Sequence, residues 1–151
     1  MSLLALRFEK ALAAYLEGEI HGITILEGHR NGEQATLPRM IVTALSAGGD
    51  LIKAAGVDQL EVEIQILMAA GEAGQRLGGS DPVERLAAFS DAVRGALQES
   101  ALDAVESALG EEEPTIAFSG LEYEGHKEGR DDQRALHGVV MSYRAWAGLV
   151  G

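Results

Sequence analysis

The sequence contains no cysteine. Disulfides, thiolate metal centres and a cysteine nucleophile are therefore excluded outright. The absence fits a reducing cytoplasm. No stretch approaches the roughly 20 consecutive apolar residues that a membrane-spanning helix needs. The opening segment, Met1-Ser2-Leu3-Leu4-Ala5-Leu6-Arg7-Phe8-Glu9-Lys10, carries charges where a secretory signal would need an unbroken apolar run, and it reads as mature sequence. Basic residues are scarce. Twelve Lys and Arg stand against 24 Asp and Glu, for a net charge of −12. Nucleic-acid affinity comes largely from cations displacing counterions, so a phosphate-gripping surface is disfavoured, as is adsorption to an anionic membrane.

Signatures of catalysis are missing as well. The four histidines, His21, His29, His126 and His137, include no pair at i, i+4 spacing and no H-E-x-x-H. Around His126 stand Glu124, Glu128, Asp131 and Asp132, from which a carboxylate–histidine metal site could be drawn. A charged solvent loop accounts for the same residues with no further assumption. Glu61 and Glu63 share the polar face of a strand, but acid–base chemistry needs a carboxylate in an apolar pocket. Nineteen glycines form neither G-x-G-x-x-G, nor a phosphate-binding P-loop, nor a G-x-S-x-G elbow. Gly71, Gly74, Gly78 and Gly79 precede a helix start, where backbone N–H groups can hold an anion, but Asp81 caps that helix and repels phosphate. A flexible linker is the better reading. No catalytic, cofactor or metal residue is expected, and the chain is expected to bind other proteins, not to act as an enzyme.

What is present is a normal globular composition, 46% hydrophobic and 24% charged, in 151 residues. That is one domain, 1–151, large enough to bury a core unaided. Leu4, Phe8, Leu12 and Tyr15 recur at steps of three and four and predict a helix over 2–17, with Ser2 as N-cap and Gly18 as stop. A short strand over 23–26 and a second over 39–45, begun by Pro38 and ended by Gly48-Gly49, flank a polar stretch, Glu27–Thr36. From 57 to 69, Leu60, Val62, Ile64, Ile66 and Met68 alternate with Glu61, Glu63 and Gln65, the pattern of a strand with one face buried. Asp81, Pro82 and Glu84 mark a helix start, and Leu86, Phe89, Val93 and Leu97 line its face. A weaker helix is predicted over 101–109, closed by Glu111-Glu112-Glu113-Pro114. Two strands follow, 115–123 and 135–146, the second ending on Tyr143 and Trp146, with a ten-residue charged loop, Glu124–Gln133, between them. The order α-β-β-β-α-(α)-β-β predicts an α+β fold, a mainly antiparallel sheet with helices packed on one face.

Several strings resemble the tail-terminator, or tail-completion, proteins of long-tailed phages, and the resemblance covers most of the chain. Leu37-Pro38-Arg39-Met40-Ile41-Val42 resembles the family's L-P-x-x-I-V opening of its second strand. Leu60 to Ile66 resembles its long central strand, and Leu86 to Leu97 its A-x-x-x-A-V-R-x-A-L helix. Val139 to Trp146 resembles its final strand. The extra helix and the Glu111–Glu113 run depart from the family pattern, and head–tail connector proteins of similar size are near neighbours. The resemblance implies a structural subunit of a virion tail, assembled in the host cytoplasm. It implies a ring, a hexamer in the family, that caps the tail tube and meets the head connector while DNA passes through unbound. It brings no catalytic residues. A small bacterial ligand-binding domain or enzyme of α+β class is the alternative from a different class. Arg30, Arg39, Lys127, Glu128, Arg130, Asp131, Asp132 and Arg134, all in or beside the two polar stretches, are the expected subunit or partner contacts, because their mixed signs suit repeating cross-boundary pairs. Ordinary solvated loops account for them equally well.

Overall fold

A computed structural model describes residues 3–31, 36–46, 57–69, 81–108 and 116–149. Helix α1 runs Leu3–Glu19, followed by strands β1 (Thr24–Glu27), β2 (Arg39–Ser46) and β3 (Val57–Ala69). Helix α2 spans Pro82–Ala96, and a 3-10 turn at Glu99–Ala101 leads into the short α3, Leu102–Ser107. Strands β4 (Ile116–Asp131) and β5 (Leu136–Leu149) complete the chain. The five strands form one sheet in the order β1-β2-β3-β5-β4. Only β1 and β2 run parallel; every other neighbouring pair is antiparallel. The fold is thus the predicted α+β arrangement in the predicted element order. The Ala70–Ser80 glycine segment, the Gly48-Gly49 stop, the Ser2 cap and the Glu111–Pro114 closure lie outside the described residues.

The core lies on one face of the sheet, where the period-two pattern placed it. Leu60, Val62, Ile64, Ile66 and Met68 of β3 and Val139, Met141, Tyr143, Ala145 and Ala147 of β5 are buried there. Helix α1 lies across them with Phe8, Leu12 and Leu16 at 0% exposure. Phe8 meets Phe118 of β4 edge-on, ring centroids 4.7 Å apart, which couples the first helix to the fourth strand. The buried stripe of α1 is broader than the sequence stripe, because it also takes in Ala5, Glu9 and Ala13. Asp81 caps α2 as predicted: its carboxylate accepts from the Val83 N–H, and Pro82 follows at the first helical position. Tyr15 of α1 donates to the Ala96 carbonyl at the end of α2, tying the two helices together.

One expectation fails. Glu124–Gln133 is not a ten-residue loop. β4 continues to Asp131, and only residues 132–135 make the turn. Inward-facing positions of β4 change from apolar (Phe118, Leu121, Tyr123) to polar (His126, Glu128, Arg130) where the core ends. No apolar alternation survives there, so the segment shows no strand signal of its own. Its partner supplies the order: His126, Glu128 and Arg130 stand opposite Met141, Val139 and His137 of β5.

Candidate functional site

On the sheet's second face the buried apolar side chains among the described residues include Leu26 and Ile41 at the β1–β2 end, and several of the expected contact residues lie beyond them on the same face. Arg39, Leu67, Gly138 and Gly129 sit in one row across β2, β3, β5 and β4. Two adjacent glycines leave the row without side chains on its β4 side. A Cβ at Gly138 would lie 2.9 Å from the Leu67 side chain, so that glycine is the space into which Leu67 leans. The result is a shallow groove of about 550 Å³, lined by Arg39, Ile41, Gln65, Leu67 and the hairpin residues Lys127 to Asp131 and Arg134. Six of the eight predicted contact residues line it: Arg39, Lys127, Asp131 and Arg134, together with Glu128 and Arg130, which alternate to the helix side of the strand and border both grooves. Asp132 stands beside them in the turn and pairs with Arg130. Arg30 does not join them. It sits in the turn after β1 and pairs with Glu27 at 3.6 Å.

Most of these charges already have partners within the chain. Arg134 pairs with Asp131 at 3.7 Å, and Glu128 lies 3.7 Å from His126. Asp131 also accepts from the backbone N–H groups of Gln133 and Arg134, which fixes the hairpin turn. Lys127 makes no ion pair among the described residues.

On the helix side, a second groove of about 520 Å³ separates α2 from the same hairpin. Ser90, Asp91 and Arg94 face His126, Glu128 and Arg130 across it. The Arg94 guanidinium lies 4.1 Å over the Tyr123 ring, and the Tyr123 hydroxyl contacts His126 Nδ1. Tyr143, 2% exposed beside Tyr123, has no hydrogen-bond partner for its hydroxyl among the described residues. Burial pushes the Tyr143 phenol up to about 12, with Arg94 opposing and Tyr123 adding to the rise. It stays protonated at neutral pH. Among the described residues no three His, Asp or Glu side chains cluster as metal ligands.

A second polar feature lies outside the expected contact residues. Glu9 of α1 is fully buried and accepts from the backbone N–H groups of Ala44, at 3.0 Å, and His29, also at 3.0 Å. His29 Nδ1 lies 2.6 Å from the same carboxylate. The geometry explains the need. β1 ends at Glu27 opposite Val42, so the next N–H of β2 that points that way, on Ala44, has no strand beside it among the described residues. Glu9 supplies the missing acceptor. Gly28 permits the chain to leave β1 there, because a Cβ at that position would collide with Thr43 Oγ1. A carboxylate set between Ala5, Phe8, Leu12 and Ala13 at helical spacing was the available signal.

Comparison with protein-family models and with curated proteins returned no match to this chain.

Proposed function

We propose that this chain is a structural subunit of a bacteriophage tail, in the tail-terminator position. It forms a ring that caps the tail tube and joins it to the head connector. The observation that carries this reading is the order of elements. The strings that resemble the terminator family occupy β2, β3, α2 and β5 of a single α+β domain, in that sequence, around one five-stranded sheet. The mixed-sign hairpin groove supports it, because pairs that are weak singly repeat at every boundary of a closed ring. The net charge of −12 also fits a bore through which DNA must slide without sticking.

The proposal has a direct consequence for DNA. At physiological salt the free chain binds duplex DNA no more tightly than ordinary non-specific association, weaker than about 1 µM. Fluorescence anisotropy with a labelled duplex measures this. Tighter binding would reveal a basic surface that a terminator bore should not have. Negative-stain microscopy of tails carrying the protein tests the ring itself: density closing one end of the tube is expected, and open ends on both sides contradict it.

A further inference from the structure

We propose that the free chain pairs with a second copy of itself along the outer edge of β4, antiparallel and centred on Gly129. This rests on the sheet edge alone and is independent of the tail-terminator reading.

β4 is the last strand of the sheet and, among the described residues, pairs only with β5. A free edge is a template for another strand unless something blocks it. The first half of this edge is blocked. The Phe118 N–H donates to the Glu106 carboxylate of α3 at 2.6 Å, which occupies the ladder position there. Two register shifts, between Ser119 and Glu122 and between Tyr123 and Gly125, then break the strand's regularity. From His126 to Asp131 the pairing with β5 is regular, residue for residue. No bulge and no side-chain cap interrupts the edge of that stretch among the described residues.

The charges along it fit one partner. The segment reads Lys127-Glu128-Gly129-Arg130-Asp131. Laid antiparallel on a copy of itself about Gly129, Lys127 faces Asp131, Glu128 faces Arg130, and glycine faces glycine. Glu128 and Arg130 lie on the helix side of the sheet and Lys127 and Asp131 on the other, so both faces match in sign. Opposite charges directly across an antiparallel pair attract and like charges repel. Charges on an edge repel a copy where like signs fall opposite; here each sign is mirrored by its opposite. The two glycines on the axis leave the close approach clear, since a Cβ at Gly129 would meet nothing within 4 Å. The contact is isologous and closed, so it stops at two copies.

The chain's lack of cysteine makes the test clean. Residues directly opposite in antiparallel strands have Cβ atoms about 4.5–5.5 Å apart, close to what a disulfide spans. A Gly129→Cys variant of the full chain should therefore cross-link with a second copy on mild oxidation. Two copies of Lys127→Cys would stand four positions apart, roughly 14 Å, and should not. Sedimentation velocity of the unmodified chain should show a concentration-dependent dimer. Glu128→Arg or Arg130→Glu alone should weaken it about tenfold, because each reversal sets like charges opposite at two symmetric places. The double variant keeps the net charge and exchanges the signs, so it should return to within about threefold of the original. All these side chains are exposed, and thermal melting checks that each variant folds. A monomer at every concentration with Gly129→Cys uncrosslinked overturns the proposal. So does cross-linking of Lys127→Cys as readily as Gly129→Cys, or a folded double variant that associates no better than the singles.

Discussion

Replacing Glu9 by alanine should lower the stability of the fold by about 3 kcal/mol. The carboxylate is fully buried and is the acceptor for the N–H groups of Ala44 and His29. Truncation strips the buried Ala44 N–H and the half-buried His29 N–H of their acceptor, and an orphaned buried donor costs about 1–3 kcal/mol. It also removes the contact that ties His29 to α1. For a chain of this length the loss corresponds to a drop in melting temperature of roughly 10 °C. Glu9→Gln keeps one acceptor oxygen and should recover about half of the loss. Thermal denaturation measures all three proteins. If the alanine variant melts within roughly 2 °C of the original, the carboxylate is not what closes the end of β1.

The second large effect is at Gly120. This residue sits at the first irregularity of β4 with φ +66°, and a Cβ there would lie 2.5 Å from Cε3 of Trp146. Gly120→Val combines a left-handed backbone, which a β-branched residue resists, with displacement of the indole. The expected cost is about 3 kcal/mol. Gly125→Ala provides the contrast. Its φ is +134°, but its Cβ would meet nothing within 4 Å, so it carries the backbone strain without the collision. Trp146 is the only tryptophan of the chain, and its fluorescence reports the displacement directly. A shifted emission for Gly120→Val, and an unshifted one for Gly125→Ala, is expected. Equal spectra and equal melting for the two variants would mean that the indole does not rest on Gly120.

How far the sequence discloses this molecule depends on which force shapes each part. β3 was legible from its first to its last residue because burial on one face writes a period of two into the side chains. The start of α2 was legible because Asp81 and Pro82 act locally, through the first turn's own N–H groups. The end of β4 was not. Lys127 to Asp131 owe their extended form to pairing with β5, and partners 5 to 13 positions away leave no mark on their own composition. The groove has the same origin. Arg39 was predicted as a contact residue, and so were the hairpin charges, but what joins them is the register that lines Arg39, Leu67, Gly138 and Gly129 in one row. Arg30 fell outside because the turn after β1 holds it next to Glu27. Glu9 was hidden for the opposite reason: an acidic residue on a helix is ordinarily solvated, and only the early end of β1 makes this one an acceptor.

The proposed role is that of a tail terminator. The most direct measurement is electron microscopy of phage tails assembled with and without the protein, scoring tube length and attachment to heads. A terminator predicts tubes of uniform length that join heads when it is present. Without it, tubes should grow past that length and remain headless. Tails of unchanged length that still attach to heads in its absence would contradict the claim.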